Sequence, residues 1–239
     1  MVFTTLAHLR DVDFLREAYH RTRKDSAPGI DGVTAATDAE HLEENLRDLH
    51  GRLRSGRYHA PPVKRHWLTK ADGSQRAIGW PTFEDKIVQR AVTMLLGAIY
   101  EEDFHPFAHG FRPGHSAHQA LSELREQCVG QRINWIVDAD VSGFFDSLDH
   151  GLLQEMLQQQ VQDGSILRLI GKWLHAGVLE GETFLQSETG SPQGAVISPL
   201  LGNLFLHQVL DEWYVHMVKP QMRGRSFLVR YGDGTPVQA

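Results

Sequence analysis

The stretch Trp135-Ile-Val-Asp-Ala-Asp-Val-Ser-Gly-Phe-Phe-Asp146 constrains this chain more than any other. It reads as an apolar strand that ends by presenting acids, followed by two aromatics. Asp138 and Asp140 are two apart, so on a strand both point to one face, where they repel unless a cation or solvent lies there. Mg²⁺ prefers such oxygen ligands and takes only one or two from the protein. The same pattern also fits a strand end with solvated aspartates, with Asp146 and Asp149 capping the next helix.

Two further elements carry the same ambiguity. Leu228-Val-Arg-Tyr-Gly-Asp-Gly234 runs an apolar strand into a turn whose tip exposes the carboxylate of Asp233. An Asp-Gly turn by itself is more often structural than functional. In Gly190-Ser-Pro-Gln-Gly-Ala-Val-Ile-Ser-Pro-Leu-Leu-Gly-Asn-Leu204, a turn enters a long apolar helix with Ser198 as a natural cap and Pro199 at its first position. Capping explains Ser198 and Pro199 but not Pro-Gln-Gly.

Around these elements the periodicity predicts an α+β mixture without internal repeats. Leu42, Leu46, Leu49 and Leu53 place an amphipathic helix over 38–55, capped at Thr37 or Asp38 and ended by Gly56. Residues 63–69 and 76–80 flank the turn Lys70-Ala-Asp-Gly-Ser74, so they predict a β-hairpin with cationic side chains near its tip. Helices follow at 84–101, 116–128, 150–160, 165–176 and 199–217, with short strands at 134–140 and 227–231. No long Gly/Ser/Pro linker interrupts the chain, so a single compact domain is expected.

Composition narrows the setting. With 41% hydrophobic and 23% charged residues over 239 positions, a sizeable buried core is expected, not disorder. The longest nearly apolar run, Ala91 to Tyr100, is about half of what a membrane span needs, and the N-terminus lacks a signal-peptide pattern, so a cytoplasmic protein with no membrane partner is expected. The single cysteine, Cys128, falls at an apolar position of a helical pattern and is expected to be buried. The net charge of −6 conceals a bias: residues 52–76 hold seven Lys or Arg against Asp72 alone, a segment that reads either as a solvated helix end and hairpin or as a phosphate-facing surface. Among 14 histidines, His105, His109, His115 and His118 lie close enough in sequence to raise a metal site, with packing and hydrogen bonding the simpler expectation.

Taken in order, PGIDGVT (28–34), residues 58–92, HGFRPGHSAHQAL (109–121), DADVSGFFDSLDH (138–150), GSPQGAVISPLLGNLFL (190–206) and LVRYGDG (228–234) resemble successive blocks of group II intron reverse transcriptases. The resemblance spans about residues 12 to 234. It implies a right-hand polymerase fold, with fingers over about 1–130 and an incomplete palm over about 131–239, the thumb absent. It also implies RNA-directed DNA polymerisation by two-Mg²⁺ chemistry, with RNA template, DNA primer, intron RNA and deoxynucleoside triphosphates as partners.

Residue by residue, the resemblance makes Asp140 and Asp233 catalytic metal ligands and gives Val141 a backbone carbonyl beside them. Asp138 becomes a supporting residue. Phe145 matches the bulky residue under the nucleotide sugar, Lys70 and Arg76 the residues that close on the triphosphate, and Gln193 the glutamine near sugar and base. Arg112 of GFRPG is assigned to template positioning. The chain departs from the family at the turn: where the family has Tyr-Ala-Asp-Asp, this chain has Tyr231-Gly-Asp-Gly234, so one carboxylate is absent. Only Thr-Pro-Val-Gln-Ala follows, and its proline is expected to prevent a return strand, so the C-terminal part of the palm is expected to be missing. An impaired polymerase is the leading reading, a non-catalytic intron RNA-binding remnant the alternative, and an unrelated Mg²⁺ hydrolase using Asp138 and Asp140 a distant third.

Overall fold

The computed structural model describes residues 1–6, 11–69, 73–186, 188–191 and 193–238, the last five by their backbone only. In chain order the elements are α1 (Val12–Arg21), α2 (Ala35–Ala39), α3 (Leu42–Arg54), β1 (Val63–Thr69), β2 (Gln75–Trp80), α4 (Phe83–Tyr100), α5 (Ala117–Gln131), β3 (Ile136–Asp140), α6 (Phe144–Ser147), α7 (His150–Gln158), α8 (Gly164–Leu174), β4 (Val178–Glu180), β5 (Thr183–Leu185), α9 (Ser198–Leu206), β6 (Phe227–Leu228) and β7 (Gly234–Gln238). The chain resolves into two compact units interleaved in sequence: residues 1–96 with 145–198, and residues 97–144 with 199–239. No linker announces this division because its boundaries fall inside α4, inside α6 and at the first turn of α9.

In the first unit, local signals start and stop the helices. Asp11 caps α1 by accepting from Phe14 N at 2.8 Å, and Leu15, Ala18 and Tyr19 form its buried stripe. Gly56, at φ +74°, terminates α3 as expected. Asp149 caps α7 and Asp163 caps α8. The cores of these helices, including Leu15, Leu49, Ile87, Leu153 and Ile166, are buried, and each fully buried aliphatic side chain contributes about 1.5–3 kcal/mol. A four-stranded sheet in the order β2-β1-β4-β5 completes the unit, with β1 and β2 antiparallel as the hairpin pattern predicts.

The second unit holds a three-stranded antiparallel sheet in the order β3-β7-β6. This corrects one expectation: residues 234–238 do form the return strand. Proline's fixed φ lies within the extended range and costs one donor, while five Cα pairs along β3 keep the register. On the β6 side the ladder consists of Phe227↔Gln238 and Leu228↔Val237, so it ends before Pro236. Cys128 is half-buried against Ala120, Phe227 and Val229, less enclosed than its helical position suggests. The helix expected over 199–217 is α only to Leu206 and continues through two π turns, His207–Asp211 and Tyr214–Val218. Among the described residues no helix is long and apolar enough to cross a membrane.

Candidate functional site

The acidic end of the second unit is built by strand register. Asp140 closes β3 opposite Gly234, the first residue of β7, and Val141 N–H donates to the Asp233 carbonyl at 3.4 Å. Asp233 sits in the turn that Gly232 enters at φ +68°. Two aspartates 93 positions apart are thereby placed at neighbouring points of one ladder. Every residue of β3 is exposed, so the carboxylates of Asp138 and Asp140 stay solvated and Asp140 is open to a ligand. Two hard carboxylates and a backbone carbonyl at an open position suit Mg²⁺, which retains waters and substrate phosphate among its ligands.

A buried network shapes this turn. Arg230 is fully buried and grips Asp211 through two bonds, Nε to Oδ1 at 2.9 Å and Nη2 to Oδ2 at 2.7 Å. Its Nη1 donates to Asn203 Oδ1 at 2.9 Å and to the Gly232 carbonyl at 3.3 Å, directly before Asp233. Asn203 in turn donates to the Gly110 carbonyl at 2.6 Å. A Cβ on Gly110 would lie 2.0 Å from Gly232 N, so that position admits only glycine. Burial pushes the Asp211 carboxyl up, but the Arg230 guanidinium bonded to it, with the His207 ring nearby, outweighs burial and holds the group below the usual carboxylate range.

In the first unit, three of the expected nucleotide residues meet one loop. Arg76 Nε donates to Gln193 Oε1 at 2.7 Å, and Gly79 N–H donates to the Gln193 carbonyl at 2.6 Å, so β2 holds Gln193 through side chain and backbone. Ser191 N–H donates to the Phe145 carbonyl at 2.7 Å, and His150 Nε2 bonds the Gly190 carbonyl at 2.6 Å. Gly194 holds φ +103°, and a Cβ there would lie 2.6 Å from the Gly79 carbonyl, which explains the glycine after Gln193. Behind the loop, Gln89 Oε1 accepts from Val196 N at 2.8 Å and Ile197 N at 3.3 Å. Gln89 also donates to Asp85, a buried carboxylate that further accepts from Tyr58 and Trp173. Burial pushes Asp85 up to about 6 despite these three donors. Lys70 lies outside the described residues.

Arg112, which the resemblance assigns to template positioning, is buried and bonded within its own unit. Its guanidinium bonds Glu101 Oε1 at 2.7 Å and the carbonyls of His105 and Ala108 at 2.8 and 2.6 Å, and its side chain is 7% exposed. A donor set so engaged braces the 101–112 loop. The basic segment is also partly neutralised: Arg52 pairs with Asp48 and Glu84, and Arg65 with Glu180. Reading the sequence missed Asp85, Gln89, Asn203, Asp211 and Arg230 as supports. Arg230 gave a usable signal, since a cation inside an apolar strand must find a buried partner.

The family model described as reverse transcriptase (RNA-dependent DNA polymerase) matches residues 68–237. The group II intron-encoded protein LtrA of Lactococcus lactis subsp. cremoris is 35% identical over 218 residues, 90% of this chain and 36% of its own length. Protein YkfC of Escherichia coli K12 is 34% identical over 220 residues, 85% of this chain and 57% of its own. The chain thus spans about a third to just over half of these curated relatives. Among solved structures, a partial Cas6-RT-Cas1–Cas2 complex aligns with a TM-score of 0.56 at 19% identity, covering 97% of this chain and 37% of that one, a likeness of fold alone.

Proposed function

Since the chain belongs to the reverse transcriptase (RNA-dependent DNA polymerase) family, we propose that it carries the nucleotide-handling machinery of a group II intron-type RNA-directed DNA polymerase, acts in the cytoplasm, and is impaired in catalysis. The observation that carries this reading is the register that sets Asp140 opposite Gly234 with Asp233 beside it. The reaction is in-line attack of a primer 3′-hydroxyl on the α-phosphate of a deoxynucleoside triphosphate, forming a phosphodiester and releasing pyrophosphate.

Asp140 and Asp233, with the Val141 carbonyl, would hold Mg²⁺, which when bound stabilises charge developing on the phosphate oxygens. Arg76, oriented by its bond to Gln193, would bind the triphosphate together with Lys70, six positions earlier in the sequence. Phe145 is the steric stop against a ribose 2′-hydroxyl. Arg112 acts on the template indirectly, by fixing the loop that carries it. Gly234 leaves the metal position one carboxylate short of the family pattern, and loss of even a supporting group costs about 10- to 100-fold.

Primer extension on an RNA template with Mg²⁺ tests this. Slow, EDTA-sensitive addition of deoxynucleotides over ribonucleotides is expected. A glycine where the family has aspartate also favours a second reading, an RNA-binding remnant without chemistry. Tight, salt-sensitive binding of intron RNA with no nucleotide addition would select it.

A further inference from the structure

The histidine cluster read from the sequence divides into two sets in the second unit, and one of them acquires new members. His109 uses both ring nitrogens, Nδ1 toward His115 at 3.1 Å and Nε2 toward Glu123 at 2.8 Å. These atoms lie on opposite sides of the ring and share no common point. His105 instead converges with His207 and Glu212, whose ligand atoms all lie within 4.8 Å of one another. His105 Nε2 is 2.8 Å from Glu212 Oε1, His207 Nε2 is 3.7 Å from the same oxygen, and His216 Nε2 is 3.1 Å from Glu212 Oε2.

Backbone geometry creates this convergence. In an α-helix, residues five apart point about 140° away from each other. Here the Glu212 N–H bonds the His207 carbonyl in the i→i+5 pattern of a π turn, which carries Glu212 round to the face of His207. Such turns are uncommon and recur at functional positions.

A second observation points to a ligand. His207 is buried, and its Nδ1 makes no hydrogen bond among the described residues although Asp211 Oδ2 lies 3.8 Å away. A metal on Nε2 requires the proton on Nδ1, where it would face that carboxylate, the usual outer partner of a metal-bound histidine. Asp211 is itself fixed by Arg230, and His105 is held by stacking on Phe107 at 5.0 Å.

We propose that His105, His207 and Glu212 bind a transition-metal dication of the Zn²⁺ class, with the exposed His216 available as fourth ligand. Imidazole donors favour Zn²⁺ or Co²⁺ over Mg²⁺, so this position is chemically distinct from the aspartate pair. The three converging ligands would tie the 101–112 loop to the helix after α9, with His216 beside Glu212 on its other oxygen.

The test uses the full chain without a polyhistidine tag, stripped with chelator and titrated with Co²⁺ and then Zn²⁺. Expected are one equivalent bound, visible absorption bands of tetrahedral Co²⁺ displaced by Zn²⁺, and a rise in Tm. Affinity should fall by about 100-fold or more in His105→Gln and in Glu212→Gln, and stay unchanged in His118→Ala. Because His105 and Glu212 are partly exposed, circular dichroism can confirm that these variants fold. Binding weaker than about 100 µM, or binding that survives both substitutions, would overturn the assignment.

Discussion

Each unit sets a buried carboxylate, Asp85 or Asp211, behind a turn of the candidate site, and the two are stabilised by opposite means. In the first, Asp85 is surrounded by neutral donors from Tyr58, Trp173 and Gln89, and Gln89 reaches the backbone just past Gln193. In the second, Asp211 is paired with the guanidinium of Arg230, which reaches the carbonyl just before Asp233. Neutral donors leave a carboxylate that is costly to ionise, whereas a guanidinium makes ionisation the stable state. The turn that would grip the nucleotide and the turn that would carry the metal ligand therefore depend on different electrostatics.

Breaking the ion pair has the largest expected effect. Arg230→Met leaves Asp211 buried and alone, and should lower stability by about 3–5 kcal/mol in urea denaturation. An effect below about 1 kcal/mol would show that water reaches Asp211.

The pH dependence sharpens the contrast. Asp85 is raised from 3.8 to about 6, so between those values the folded protein holds a proton that the unfolded chain has lost, and its contribution falls as pH rises through that window. Lowering pH from 7 to 4 should stabilise the protein by about 2 kcal/mol relative to Asp85→Asn. Asp211 runs the other way: its pKa is lowered, so its contribution is present above the ordinary carboxylate range and is lost as pH falls through the depressed value. Denaturation midpoints from pH 7 to pH 3 should thus separate the two groups, with Asp85→Asn flattening only the upper part of the curve.

A smaller effect is expected at the surface of the first unit. Gln193→Ala removes the acceptor that orients Arg76, and should weaken deoxynucleotide binding by about tenfold with little change in Tm. An unchanged affinity would mean that Arg76 is held by other groups.

Much of this arrangement was legible in the sequence where local chemistry dictates it. The β1–β2 hairpin, the Asp149 cap, the Gly56 stop and strand β3 each follow from a few neighbouring residues. The short β4–β5 hairpin was not, because three-residue strands are too brief to show alternation, and α1 was missed although Asp11 and its Leu15–Ala18–Tyr19 stripe were present. The return strand was not legible either, because the sequence displays its proline but not the five-pair ladder along β3 that holds it. Asp140, Asp233, Arg76 and Gln193 are singled out only by the order of family blocks. Asp85 with Tyr58 and Trp173, and His207 with Glu212, were not, since the first set is scattered over 116 positions and the second depends on a π turn that sequence periodicity does not signal.

On the proposed function, the pair Asp140 and Asp233 is the seat of chemistry and Gly234 its local defect. Single-turnover extension of a primer on an RNA template, comparing the chain with Gly234→Asp, tests it most directly. The account predicts about tenfold or greater acceleration that disappears when Asp140→Asn is added. Equal rates with and without the restored carboxylate, in a chain that still extends primer, would contradict it.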